Sequence, residues 1–101
     1  MKAKSFDARV WGLCAQIPKG KVASYKSIAI ALGNPKAARA VGNALNRNPF
    51  APEVPCHRVV GSCGRVGGYA ERVKKKIALL KREGVHLHKG NISMGFFYAF
   101  R

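Results

Sequence analysis

Gly33-Asn34-Pro35 interrupts an apolar-periodic run that would otherwise read as one long helix, and limits this part of the chain to two short helices meeting at a tight turn. Upstream, in "SYKSIAIALG", Ser24 is a suitable N-cap, Ile28, Ala31 and Leu32 line one side, and Gly33 suits a left-handed stop. Downstream, in "NPKAARAVGNALNR", the spacing predicts a helix capped by Asn34 with Pro35 at its first position. Ala37, Ala40, Val41, Ala44 and Leu45 would form its apolar face. Two such helices outline a helix-turn-helix.

The flanks carry the same kind of signal. Residues 5–17 predict a helix capped by Ser5, with Phe6, Val10, Leu13, Cys14 and Ile17 on one face and a stop at Pro18-Lys19-Gly20. Cys14 falls on that stripe and reads as a small buried hydrophobe. "VKKKIALLKREG" predicts a last helix with Val73, Ile77 and Leu80 inward, its lysines outward and Gly84 at the end. Between them, the three prolines of "RNPFAPEVPC" exclude helix and predict a rigid loop. "HRVVG" has strand character, and "SCGRVGGY" is turn-rich. The expected fold is mainly α: one domain over residues 1–101, with a winged-helix-like helix-turn-helix and short strand and loop segments around "PCHR". Residues 85–101 have no clear period and are expected to pack on the body.

With 19 Lys+Arg against 4 Asp+Glu the formal net charge is +15, which points to a polyanionic partner, nucleic acid first. A membrane surface fits less well, because no basic amphipathic helix with a bulky apolar face stands out. No secretory leader or run long enough to span a bilayer is visible. Three cysteines at low density suit a reducing, intracellular compartment rather than a disulfide scaffold. The outer face of the second helix combines Ala38, Arg39, Gly42, Asn43 and Asn46. A mid-helix glycine costs about 1 kcal/mol relative to alanine. Close approach of DNA backbone at Gly42 is one reason to keep it, and a crowded helix–helix contact is the other.

The stretch "VPCHRVV" sets a thiol, an imidazole and a guanidinium side by side behind a proline. Cys56 could be an inert core thiol, a metal ligand or a nucleophile. Cys56, His57, Cys63, His86 and His88 match no paired zinc-ligand spacing, so a structural zinc is not expected. A nucleophilic thiol needs a base or a positive field, and His57, Arg58 and the basic surroundings offer both. Successive side chains in an irregular segment point different ways, so a bridging water would link His57 to the sulfur. A third group would hold the imidazole tautomer. Among Asp7, Glu53, Glu71 and Glu83 the residues alone do not single one out.

Taken together, "RVW..L..IPKGKVASY..IA..LGNPKAARAVGNAL..NP....VPCHRVV...G..GGYA" followed by "K..LL..EG" closely resembles the C-terminal domain of the O6-alkylguanine-DNA alkyltransferases, from about Phe6 to Gly84. That resemblance implies binding of duplex DNA through the helix-turn-helix from the minor groove, with the damaged guanine flipped out of the stack. It implies that Cys56 accepts the alkyl group, that His57 is the water-linked base and that Glu83 orients it, while Asn48 braces the active-site turn. Arg39 would fill the space left by the flipped base, with Ala38, Gly42, Asn43 and Arg58 also on the DNA side. Tyr25 would help rotate the phosphate and donate to the purine. Val59, Tyr69, Ala70 and Glu71 would complete the pocket. The product thioether is stable, so each molecule reacts once, as a single monomer and without metal, flavin or other cofactor.

Two departures from the pattern carry further expectations. The family usually has a domain ahead of this one, whereas this chain starts almost at the first helix and reads as a single-domain protein. In "GGYAER", Ala70 removes a hydroxyl that could bond the guanine oxygen and Glu71 narrows or charges the rim, so methyl adducts should be accepted better than benzyl ones. The rival within the same fold is an alkyltransferase-like protein that flags damage without repairing it; its hallmark is loss of the reactive cysteine, which this chain keeps. A generic basic nucleic-acid protein would leave "PCHR" unexplained. The implied location is cytoplasmic, with the nucleoid or nucleus as the site of work.

Overall fold

A computed structural model describes residues 5–49, 54–61, 64–66, 71–89 and 91–100, with the side chains of 71–73 excepted. Helix α1 runs Phe6–Ala15, and the Ser5 hydroxyl caps it by accepting from Ala8 N–H at 3.2 Å. Val10 and Cys14 on its inner face are buried, as is Ile17 just beyond it. Strand β1 (Ala23–Ser24) leads directly into α2 (Tyr25–Ala31). Ser24 and Ser27 cap α2 reciprocally: each side-chain oxygen accepts from the other residue's backbone N–H, at 2.9 and 3.1 Å. Gly33, at φ +83°, ends the α2 segment in the left-handed conformation expected of it.

Helix α3 spans Ala38–Asn46 and starts later than the Asn34-Pro35 signal predicts. Asn34 to Ala37 instead closes a turn of its own, with Ala37 N–H donating to Asn34 O at 3.0 Å, and the α3 N-cap, Ala37, has no side-chain bond. Burying Ala37 against the core outweighs the capping preference of Asn34. Val41, Ala44 and Leu45 face inward as expected, whereas Ala31 and Ala40 are exposed. Trp11 Nε1–H donates to Ala44 O at 2.9 Å and ties α1 to α3. Exposed Arg47 forms a paired bond to Asp7 with both distances 2.8 Å. Together α1, α2 and α3 enclose one core, and the α2–turn–α3 unit is the expected helix-turn-helix.

The second half builds a smaller core. A 3₁₀ turn, Cys56–Arg58, opens into β2 (Val59–Val60), which pairs in parallel with β1 through Ala23–Val59 and Ser24–Val60. Helix α4 (Glu71–Arg82) packs on that 3₁₀ turn, with Leu80 fully buried and Gly84, at φ +90°, ending the segment. Strands β3 (Leu87–His88) and β4 (Asn91–Ile92) form a hairpin, followed by a 3₁₀ turn at Met94–Phe96.

This C-terminal segment does pack on the body, and by backbone pairing. Val22 N–H donates to Phe96 O at 2.9 Å, and Tyr98 N–H donates to Val22 O at 2.7 Å. Ile92 N–H donates to Gly64 O at 2.9 Å. Gly64 sits at φ +79°, where an added Cβ would overlap the Ile92 backbone, so both conformation and space require glycine there.

Candidate active site and nucleic-acid interface

Local geometry first sets the position of the thiol. Pro55 is buried, and the backbone turns through Cys56 N–H to Val54 O and Arg58 N–H to Pro55 O, both 2.9 Å. Asn48, just past the end of α3, donates Nδ2–H to Val54 O at 2.8 Å and pins the approach to this turn. Cys56 is thereby held partly exposed, packed against the edge of the first core.

The turn aims the next two side chains at α4. His57 Nε2 lies 3.1 Å from Glu83 Oε2, and these side chains are only 8% and 13% exposed. Arg58 grips the same carboxylate through Nε at 2.8 Å and a second guanidinium nitrogen at 2.6 Å, while its remaining nitrogen donates to Ile17 O at 2.9 Å. The Arg58 guanidinium holds the Glu83 carboxyl below the ordinary glutamate range, against the opposing effect of burial, and the His57 contact adds to it. Glu83 is thus an acceptor on both oxygens, and Nε2 of His57 must carry the hydrogen between them. That leaves Nδ1 as the nitrogen with a lone pair to accept a proton.

A cavity of about 470 Å³ opens over Cys56 and His57. Tyr25, Gly42, Leu45, Asn46, Asn48, Val66, Lys75, Lys76 and Leu79 complete its wall. Lys76 stands over the Tyr25 ring at 5.6 Å from the centroid and donates from Nζ to Tyr25 Oη at 3.4 Å. A Cβ added to Gly42 would meet only the Tyr25 ring, at an ordinary 3.8 Å. Among the described residues, no crowded internal contact therefore accounts for that glycine. Cys14, by contrast, is sealed in the core; burial pushes its thiol up to about 12, and a charge on Cys56 would add to the rise.

The structure brings Cys56, His57, Asn48 and Tyr25 together around one cavity, with Glu83 behind His57. Ala38, Arg39 and Asn43 lie on the outer side of α3, with Arg39 and Asn43 exposed. Two placements differ from the sequence expectation. Arg58, expected on the DNA side, is 17% exposed and its guanidinium is consumed by Glu83 and Ile17, because a buried carboxylate beside it outcompetes an outward position. Val59, expected in the pocket wall, is fully buried in the core, because β pairing with Ala23 turns it away from the cavity. Tyr69 and Ala70 lie outside the described residues, as does the side chain of Glu71, whose backbone opens α4. Lys75, Lys76 and Leu79 went unnoticed as cavity residues because the lysines read as a solvated face. The signal was present: Lys76 precedes Leu80 by four residues and Glu83 by seven, on one helical face.

Among the described residues no helix is long and apolar enough to cross a membrane. The family profile described as "6-O-methylguanine DNA methyltransferase, DNA binding domain" matches residues 5–85. A methylated-DNA–protein-cysteine methyltransferase of Methanosarcina acetivorans is 52% identical over 79 residues, covering 78% of this chain and 51% of that protein. The chain spans about half the length of the curated relatives it matches. A crystal structure of the Mycobacterium tuberculosis O6-methylguanine methyltransferase, 46% identical, superposes with a TM-score of 0.72 over 81% of this chain and 50% of that one. The Schizosaccharomyces pombe Atl1 structure, "in complex with damaged DNA containing O6-carboxymethylguanine", is 28% identical with a TM-score of 0.81 over 97% of this chain and 98% of that one. With the cysteine turn, the helix-turn-helix and these likenesses in agreement, the chain belongs to the 6-O-methylguanine DNA methyltransferase family, to which it contributes the DNA-binding domain.

Proposed function

We propose that this chain repairs DNA by taking the alkyl group from the O6 position of guanine onto Cys56, once per molecule. The observation that carries the reading is the line from a cavity-facing thiol through His57 to Glu83 Oε2, which leaves Nδ1 of His57 free to receive the thiol proton. In this reading α3 enters the minor groove, Arg39 fills the gap in the stack and the extruded guanine occupies the cavity beside Tyr25. Cys56 Sγ, its proton passed to His57 through a bridging water, attacks the alkyl carbon in line. The S–C bond forms as the C–O6 bond breaks, and its electron pair passes to the purine, which regains a proton with Tyr25 Oη as the nearby donor. Asn48 keeps the turn in register, and Arg58 acts through Glu83 rather than on DNA.

One observation favours a second reading, lesion binding without transfer: Atl1 superposes over nearly the whole of both chains, including the C-terminal segment. Retention of Cys56 with its proton path weighs toward transfer. Intact-mass spectrometry after incubation with a duplex containing O6-methylguanine separates the two. A gain of one methyl mass on Cys56, absent in Cys56→Ser, supports repair; tight lesion-dependent binding with no mass change would overturn it in favour of sensing.

A further inference from the structure

Helix α4 has a basic face that the site chemistry does not use. Lys74, Lys75, Lys81 and Arg82 are exposed and make no hydrogen bond or ion pair among the described residues. Lys74 and Lys81 are seven residues apart, as are Lys75 and Arg82, so the four charges form one stripe along the helix. The carboxylates of Asp7 and Glu83 cannot neutralise it, because Arg47 holds the first and Arg58 with His57 the second. The stripe also has a place: Lys75 and Lys76 belong to the wall of the Cys56 cavity, to which α3 contributes Gly42 and Asn46. A strand that delivers a base into this cavity must therefore pass α4 as well as α3.

We infer that the Lys74–Lys75–Lys81–Arg82 stripe is a second DNA-contacting surface, which takes the phosphates of the strand carrying the extruded nucleotide while α3 occupies the groove. This rests on the DNA reading above and extends it to a helix outside the helix-turn-helix. Seven residues of α helix advance about 10 Å, the axial length of about three nucleotides of one strand. The stripe therefore matches a short run of phosphates beside the cavity mouth. Flexible cationic side chains suit that task, since each phosphate contact releases counterions whatever the base.

The test uses unmodified duplex, so it does not depend on transfer to Cys56. K74Q/K81Q removes two stripe charges without touching a cavity residue. K21Q/K89Q removes two exposed charges near the C-terminal segment as an equal-charge control. Duplex affinity is measured by anisotropy across a salt series. Each lost phosphate contact takes about 0.9 off the slope of log K against log salt, so K74Q/K81Q should flatten it by about 1.8 and the control should leave it near wild type. Equal flattening in both pairs, or none in K74Q/K81Q while wild type binds and takes up methyl normally, overturns the inference alone. Absence of salt-dependent duplex binding by wild type overturns both the inference and the DNA reading.

Discussion

His57 and Glu83, 26 positions apart in sequence, meet through a single Nε2–H to Oε2 bond of 3.1 Å, and that bond decides which imidazole nitrogen keeps its lone pair. With Nε2 committed, the Nδ1 lone pair is the one available to a proton from the Cys56 side. The same carboxylate is locked by two bonds from Arg58, so the imidazole is oriented by an anion that is itself held in place.

Replacing Glu83 with Gln tests that arrangement. The amide is nearly isosteric but gives up the charge that pairs with Arg58 and orders His57. Single-turnover methyl transfer should slow by about two orders of magnitude, the lower end for a misplaced general base. Stability in urea should fall by about 1–3 kcal/mol, the range for a half-satisfied buried polar group. Wild-type transfer kinetics in this variant would show that the Glu83 carboxylate charge is not needed for the proton path.

A pH dependence follows from the depressed carboxyl of Glu83. A group with a lowered folded pKa stabilises the native state fully above its unfolded value, about 4.3 for glutamate, and loses that contribution as pH falls through the folded value. Melting temperature should decline between about pH 5 and pH 3, and the Glu83→Gln variant should decline less steeply over the same interval. Half-buried Asp7, lowered by the bond from Arg47, acts in the same direction, so the comparison with the variant isolates Glu83. Parallel curves would mean that the Arg58–Glu83 pair carries no linkage.

Gly42 separates a structural reason from a ligand-binding one. Among the described residues a methyl group there meets only the Tyr25 ring, at 3.8 Å, so Gly42→Ala should fold normally and gain up to about 1 kcal/mol from helix propensity. Affinity for lesion-bearing duplex should nonetheless fall, because the small-residue face of α3 is lost. A destabilised variant with unchanged affinity would assign the glycine to internal packing instead.

Gly64 gives the opposite expectation. Its positive φ and the Ile92 backbone leave no room for a side chain, so Gly64→Ala should cost about 2 kcal/mol or more in chemical denaturation. The loss should come with faster amide exchange at Ile92, whose N–H is held by Gly64 O. An unperturbed exchange rate would show that the C-terminal segment docks some other way.

The two described thiols should differ sharply toward a soluble alkylating reagent. Cys14 is fully buried with its thiol pushed up to about 12, whereas Cys56 opens on the cavity. Peptide mapping after iodoacetamide treatment at neutral pH should find Cys56 modified and Cys14 intact until the protein is unfolded. Equal labelling would place Cys14 in contact with solvent.

What the sequence by itself determined is whatever a few neighbouring residues can enforce. The Ser5 and Ser24 caps, the left-handed stops at Gly33 and Gly84, the short helices flanking the tight turn and the adjacency of Cys56 and His57 all depend on neighbours within a single helical turn, and such rules act before any tertiary contact forms. Even there, burial of Ala37 overrode the Asn34-Pro35 start signal. Composition could not choose one of four acids, although the family resemblance named Glu83; the packing of α4 on the 3₁₀ turn is what sets Glu83 against His57, and in doing so it turned Arg58 inward. Lys76 reaches Tyr25 across 51 positions, and Gly64 is obligatory because of a backbone that arrives from the C-terminal hairpin. These relationships were decided only by the tertiary structure, because they are distances between segments whose separation along the chain carries no periodic signal, and their energy comes from burying charge and backbone groups against partners that folding alone brings near.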